Sequence, residues 1–210
     1  QQELLQALAG TKRIDSGSIF IKETNVTGMS PKKILDHKVG YIPSDRHEEG
    51  LILAMNLEEN LMLECYAGEP WSKRGVLNPK QIEAFGNEAI ARFDIWAESS
   101  KQAAASLSGG NQQKVVVARA MVKEPEVLLA AYPTRGLDVG AIESIHGMIN
   151  KQREKGCAVV LFSNELDEVF SLGDRIGVLF EGRMMGIYPA SELSMEKVGL
   201  MMAGQSIQAE

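Results

Sequence analysis

A hydroxyl residue and two glycines, Ser108, Gly109 and Gly110, stand at the start of a stretch with helical periodicity. Glycines let the backbone come close to a ligand, and the first N–H groups of a helix have no partner within the helix. Together with the helix dipole, these groups suit a terminal phosphate. Taken alone, the three residues are explained more simply as a serine N-cap with a glycine turn.

These residues belong to a longer and more specific string. Residues 107–114 read LSGGNQQK, and residues 118–120 of the same helical stretch read ARA. The string resembles the signature motif of ABC ATPases, in the variant found in the ATPases of sugar and nucleoside importers. Other segments extend this resemblance over essentially the whole chain: residues 42–46 with 50–51, residues 133–141, and residues 174–176 with 182–183.

The resemblance implies a nucleotide site of the chain's own, and several residues depart there from the family pattern. Gln1 and Gln2 stand where a lysine and a hydroxyl residue would bind phosphates and Mg²⁺. Ala131 and Tyr132 stand where an aspartate would order Mg²⁺ and a glutamate would activate water. Since the chain opens inside the Walker A helix, we expect a fragment without the preceding strand and the Walker A glycines.

Two further positions of that site are changed. Asn164 stands at the switch histidine, and Ser44 or a neighbour replaces the glutamine that senses Mg²⁺ and the γ-phosphate. Loss of a general base alone typically lowers a rate by ~10²–10⁴. Phosphoryl transfer needs positioning and charge neutralisation together. We therefore expect this site to be degenerate, with almost no hydrolysis of its own.

ABC domains work as head-to-tail pairs, so the resemblance implies that the signature acts on a second domain. Ser108, Gly109, Gly110 and Asn111 would complete the ATP site of that domain, which would bind most of the ATP and its Mg²⁺. Asp138, at the D-loop position, would touch the second domain across the interface. Asp138 suits equally well an N-cap for the helix that follows it.

The same resemblance implies further partners and a location. The second ABC domain would lie on the same polypeptide, both would bind a membrane permease, and a solute-binding protein would act indirectly. The domain would be peripheral at the cytoplasmic face of a bacterial cell membrane. Residues 130–135 and 141–143 are closer in form to nucleoside importers than to the ribose type. We expect the permease to dock on residues 45–53 with Met55 and Leu57, where Arg46 is flanked by apolar residues.

Composition is consistent with one compact globular domain. The chain has 210 residues, of which 44% are hydrophobic. The formal net charge of -6 argues against a broad nucleic-acid surface, which needs clustered basic residues. No apolar run approaches the ~20 residues that span a bilayer. Cys65 and Cys157 do not make a disulfide scaffold or a metal cluster.

Hydrophobic periodicity predicts the elements that position these motifs. Short apolar strands alternate with helices, which indicates a mostly parallel α/β sheet. The predicted strands are residues 18–22, 39–42, 127–131, 158–162 and 176–180, the last in a hairpin with 184–188. The predicted helices are residues 3–8, 112–122, 140–155 and 165–171. Helices over 57–65 and 79–93, joined by a loop over 68–78, indicate an inserted helical subdomain in which Trp96 is expected to pack.

The fold class is therefore α/β, a P-loop NTPase-like ABC nucleotide-binding domain. Residues 1–54 would hold the Walker A helix remnant and an antiparallel β subdomain, and residues 55–106 the helical subdomain. Residues 107–210 would hold the signature, the Walker B region and the closing α/β part.

Two other functions compete with an importer ATPase. One is a non-transport ABC protein that acts as an ATP-dependent clamp on nucleic acid. The acidic charge, and the lack of a basic insertion in the helical stretch, oppose it. The other is a catalytically silent interaction module with no nucleotide role, which the intact Ser108-Gly109-Gly110 opposes.

Overall fold

A computed structural model describes residues 1–206. The helices are α1 Gln2–Leu8, α2 Pro31–Asp36, α3 Leu57–Met62, α4 Pro79–Arg92, α5 Gly109–Met121, α6 Val139–Glu154, α7 Leu166–Leu172 and α8 Met195–Met202. The strands are β1 Phe20–Ile21, β2 Thr24–Asn25, β3 Val39–Ile42, β4 Ser72–Lys73, β5 Val76–Leu77, β6 Val127–Ala131, β7 Ala158–Phe162, β8 Arg175–Phe180 and β9 Arg183–Pro189. Within this part of the chain, no helix is long and apolar enough to cross a membrane.

The centre of the fold is a parallel sheet with the strand order β3-β6-β7. Side chains of the middle strand, β6, alternate between two hydrophobic clusters. Leu128 and Ala130 point into one cluster, and Leu129 and Ala131 into the other. A strand covered on both faces must be apolar throughout, which is why β6 reads VLLAA.

Helix α5 covers one face of this sheet. Val115, Val116, Val117 and Ala118 are at most 1% exposed, so the middle of the helix is buried on nearly all sides. Helix α1 and the short β1–β2 hairpin contribute Leu5 and partly buried apolar residues to the cluster on the other face. The helix that carries the signature is therefore held rigidly by the core.

The helical segment before α5 shares a core with it. Residues of α3 and α4 pack in the same cluster as those of α5. Asn56 and Glu59 form a reciprocal capping box at the start of α3. The buried amide of Asn60 donates to the carbonyl oxygens of Ile52 and Asn56, both at 3.0 Å, and so fixes the loop that enters this segment.

Most predicted elements are confirmed, and three details are wrong. The predicted loop over residues 68–78 contains the hairpin β4–β5. Leu57, expected to line a docking groove, is fully buried in the core. Trp96, expected to pack in the helical segment, is 86% exposed. Its neighbour Ile95 takes the core position instead, after a left-handed turn at Asp94 with φ 49°.

Gly40 of β3 lies where α5 approaches the sheet, so a substitution there tests how close that approach must be. A methyl group at Gly40 would overlap the carbonyl oxygen of Ala120 and lie 3.1 Å from Pro125 Cγ. We expect Gly40→Ala to lower the free energy of unfolding by about 1–3 kcal/mol, the usual effect of overpacking. Urea denaturation measures this change.

The control is Gly147→Ala in the middle of α6, where a methyl group meets nothing within 4 Å. Because alanine is the better helix former, this variant should be more stable by about 1 kcal/mol. Equal stabilities for the two variants would contradict the close approach of α5 to β3.

Candidate functional site

The signature occupies the open N-terminus of α5. Ser108 is the N-cap residue, and its Oγ accepts from the side-chain Nδ2 of Asn111 at 3.1 Å and, at 3.5 Å, from its backbone N–H. Ser108 is exposed, and Gly109 and Gly110 are half-buried. The first turn of a buried helix thus reaches the surface, where its N–H groups can meet an anion.

Other groups approach both glycines closely. A Cβ at Gly110 would lie 3.0 Å from Ala141 Cβ, where the start of α6 packs on α5. A Cβ at Gly109 would lie 3.3 Å from Nη2 of Arg46. The signature therefore has a guanidinium beside one glycine and a packed helix beside the other.

Arg46 lies beside the signature, which its position in the sequence did not predict. Its Nη1 makes a long contact of 3.4 Å with the carbonyl oxygen of Arg135. Its Nε is buried and finds no hydrogen-bond partner among residues 1–206. An unpaired buried guanidinium nitrogen next to a helix N-terminus adds positive charge where an anion would bind. Its predicted role in permease docking stays a prediction, as does that of the half-buried Met55.

Asp138 is the N-cap of α6, and its Oδ1 accepts from the backbone N–H of Ala141 at 2.9 Å. The N-cap interpretation is thereby confirmed. Asp138 Oδ2 would lie 3.8 Å from a Cβ at Gly110, so its carboxylate borders the signature. Its contact with a second domain stays a prediction.

A second, polar cavity of about 540 Å³ lies beyond the carboxyl end of the central sheet. Its lining residues are Gln2, Ser44, Asp45, Glu48, Glu49, Tyr132, Thr134, Arg135, Ser163, Asn164, Glu165 and Glu168. Four of the residues that the sequence predicts for the chain's own nucleotide site meet here. Gln1 joins them, since its side-chain oxygen accepts from the Tyr132 hydroxyl at 2.7 Å. Ala131 is fully buried at the end of β6, just behind Tyr132.

The charge of this cavity is unfavourable for phosphate. Five carboxylates and one guanidinium, that of Arg135, line it. Asp45 stays ionised, because the backbone N–H groups of Glu48 and His47 donate to it and lower the pKa of its carboxyl group. The lining residues include no lysine. Tyr132, with a left-handed φ of 46°, is a bulky residue in a conformation that costs energy.

Sequence reasoning missed a buried polar network behind this cavity. Glu168, 4% exposed, accepts from the Thr134 hydroxyl at 2.6 Å, and the same oxygen lies 3.0 Å from Nε2 of His146. Gln113 of α5 donates to the carbonyl oxygen of Pro133, the residue before Thr134, at 2.8 Å. These contacts join α5, α6 and α7 to the segment after β6. A carboxylate in the first turn of α7 was the only local signal, and it does not reveal these partners.

The architecture is that of an ATP-binding cassette. A solved nucleotide-free ATP-binding cassette from an ABC transporter superposes with a TM-score of 0.75 at 17% identity, covering 90% of this chain and 75% of that chain. A dimeric bacterial ABC transporter cassette gives a TM-score of 0.74 at 22% identity, covering 90% and 80%. At these identities the likeness establishes the fold alone.

The sequence identifies the family. Residues 3–135 match the ABC transporter family, and the chain belongs to it.

Its relatives include the nucleoside import ATP-binding protein NupA of Lactococcus lactis, 41% identical over 99% of this chain and 41% of the relative. The guanosine import ATP-binding protein NupO of Bacillus subtilis is 40% identical over 98% of this chain and 40% of the relative. The ribose import ATP-binding protein RbsA of Bacillus cereus is 38% identical over 96% and 40%. The chain thus spans about two fifths of the length of these relatives.

Proposed function

We propose that this chain is the ATP-binding domain of an importer for nucleosides or simple sugars, and that its signature completes an ATP site on a partner domain. The observation that carries the proposal is the anion cradle at the start of α5. It combines two closely approached glycines with the unpaired Nε of Arg46. The import functions in the names of the relatives support the substrate class.

The cradle and the acidic cavity would have different roles. The cradle supplies backbone N–H groups and a guanidinium, which suit the terminal phosphate of ATP. The cavity presents mostly carboxylates, which repel phosphate, and it lacks a lysine. Among residues 1–206, no group of three or more His, Cys, Asp or Glu side chains could hold a metal ion. In this proposal Mg²⁺ would be held by the partner domain and the ATP phosphates, where it neutralises charge.

In this proposal the chain's own residues act on ATP by position. The Ser108 hydroxyl and the N–H groups of Gly109 and Gly110 bind and orient the terminal phosphate. Arg46 adds positive charge as negative charge shifts during phosphoryl transfer. Asp138 holds the start of α6 against the signature, and the partner domain contacts this edge. The chain supplies no general base, because Tyr132 and Asn164 occupy the positions where one would stand.

The domain would be peripheral at the cytoplasmic face of a bacterial membrane, where it would contact a permease. A solute-binding protein would act on it only indirectly, through that permease. We place the permease contact on residues 45–53 and Met55. Ile52, 43% exposed, is the apolar side chain of that segment that is free to be covered. The second ABC domain would lie on the same polypeptide, in keeping with the greater length of the relatives.

The isolated chain should hydrolyse no ATP above background. Tyr132→Glu would restore one carboxylate at the surface of the cavity without entering the core, and it should still give no turnover because no lysine binds the phosphates. A phosphate-release assay with and without Mg²⁺ measures this. Mg²⁺-dependent turnover by the purified chain would refute the degenerate site.

Ser108→Glu in the assembled transporter should lower its ATPase rate by about 10²–10³-fold or more. The change removes a preorganised donor and places an anion against the phosphate. Loss of the serine N-cap should cost about 0.5–2 kcal/mol, offset in part because a carboxylate near a helix N-terminus is favourable; the Ser194→Glu variant carries the same loss. This variant is a cleaner probe than Gly110→Asp, whose side chain would press on Ala141.

The matched control is Ser194→Glu. Ser194 is likewise an exposed serine N-cap, with its Oγ accepting from the N–H of Lys197 at 3.2 Å, at the start of α8. This control should keep normal turnover. Near-normal turnover of Ser108→Glu, with an unchanged thermal melt, would show that the signature of this domain is only a scaffold.

A cysteine at Ile52 should form crosslinks to the permease in the assembled transporter. The background would carry Cys65→Ser and Cys157→Ala to remove the chain's two free thiols. A cysteine at Val76, 72% exposed in the β4–β5 hairpin and outside the proposed contact, serves as the comparison. If only the Val76 position crosslinks, the docking surface lies elsewhere.

A further inference from the structure

The segment over residues 94–98 is clamped to the signature helix at two points. Lys114 of α5 donates to the backbone oxygen of Asp94 at 2.7 Å and to its carboxylate at 2.8 Å. The Lys114 ammonium also lowers the pKa of the Asp94 carboxyl group, so the pair stays charged. One residue beyond the buried Ile95, the backbone N–H of Trp96 donates to Oδ1 of Asn111 at 2.8 Å. The position of Trp96 is thereby fixed relative to Ser108.

The clamp holds the backbone of Trp96 but leaves its side chain uncovered. Trp96 is 86% exposed, the highest exposure of any large apolar residue among residues 1–206. By contrast, Trp71 packs against Phe85 in a tilted arrangement, with ring centroids 4.5 Å apart and an interplanar angle of 57°. An exposed indole on a fixed backbone is suited to pack against a flat partner, since tryptophan has only two side-chain torsions and a large apolar face.

A cavity of about 390 Å³ separates the indole from the signature. Its lining residues are Trp96, Ala97, Glu98, Gln102, Ser106, Leu107, Ser108 and Asn111. The polar side of the cavity is internally bonded. Gln102 accepts from the N–H of Glu98 at 2.8 Å and donates to the Ser106 hydroxyl at 2.9 Å. Trp96 and the signature residues Ser108 and Asn111 thus line one cavity, whose polar side is held by these internal hydrogen bonds.

Asn111 links Trp96 to Ser108 through its side-chain amide. Its Oδ1 accepts from Trp96, and its Nδ2 donates to the Ser108 hydroxyl. An amide oxygen has a second lone pair and an amide NH2 group a second N–H, so Asn111 keeps capacity for a further partner. The prediction that Asn111 contacts the nucleotide stays a prediction, and the structure adds that Asn111 holds Trp96 and Ser108 together.

The groups around the signature differ in charge and polarity. Arg46 borders Gly109 and carries positive charge. The carboxylate of Asp138 borders Gly110. The cavity that leads to Trp96 is the side of the signature with a flat apolar surface.

We propose that the indole of Trp96 stacks on the purine base of the ATP whose terminal phosphate meets Ser108. This inference rests on the proposed function, because it takes the signature to act on ATP held by a partner domain. Stacking between a base and an aromatic ring is commonly strong enough that its removal weakens binding about fivefold or more. Trp96 would then be a residue of this domain that recognises the base of ATP.

The test compares two ligands in the assembled transporter carrying Trp96→Ala. Both are measured as competitive inhibitors of the ATPase: a non-hydrolysable ATP analogue, which has the base, and inorganic tripolyphosphate, which lacks it. We expect the inhibition constant of the ATP analogue to rise about fivefold or more, and that of tripolyphosphate to stay unchanged. Trp96→Phe should restore most of the affinity, since it keeps an aromatic face.

Trp71→Phe is the matched control and should change neither inhibition constant. Because Trp96 is exposed, Trp96→Ala should also leave the thermal melt unchanged. Equal weakening of both ligands would mean that the substitution disturbs the signature itself, and the stacking proposal would be wrong. Unchanged inhibition constants for both ligands would also overturn the proposal. This holds even if Trp96→Ala weakens the association of the two domains.

The two proposals fail in different ways. If Ser108→Glu abolishes turnover while Trp96→Ala leaves both inhibition constants unchanged, the composite site stands and only the stacking is refuted. If Ser108→Glu itself leaves turnover near normal, the proposed function is refuted together with the inference that rests on it.

Discussion

The close packing of α5 on the central sheet is the constraint on which the rest of the structure depends. Its middle residues, from Val115 to Ala118, are almost completely buried, and β3 approaches it so closely that only a glycine fits at position 40. A helix packed in this way cannot slide along its own axis. Its N-terminus therefore reaches the surface at a defined place, which a chemically useful set of N–H donors requires.

Polar side chains of α5 form hydrogen bonds to the segments around it and hold them in place. Gln112, 7% exposed, bonds to His47 at 2.9 Å, and Gln113 bonds to the carbonyl oxygen of Pro133. Lys114 and Asn111 hold the segment around Trp96. One helix thus sets the geometry of the loop after β3, the segment after β6 and the rim of the signature. Burial makes the bonds of Gln112 and Gln113 costly to break, because each would leave an unpaired polar group.

Electrostatics then distinguishes the two surfaces that α5 helps to position. The signature has a helix N-terminus and the guanidinium of Arg46, with the single carboxylate of Asp138 at its border, whereas the neighbouring cavity has five carboxylates and a single guanidinium. A phosphate chain is attracted to the first and repelled by the second. This asymmetry supports a division of labour in which the domain contributes to a partner's nucleotide more than to one of its own.

The sequence by itself determined the class of the fold, the strands at Val39–Ile42, Val127–Ala131 and Ala158–Phe162, and the signature, since periodicity and motif spacing are local properties. It also predicted four of the twelve residues that line the acidic cavity, namely Gln2, Ser44, Tyr132 and Asn164. It did not predict that Arg46 lies against Gly109, that Trp96 is exposed, or that Glu168 bonds to Thr134 and His146. Those contacts join residues from 22 to more than 60 positions apart, and only tertiary packing decides which distant side chains share one small volume.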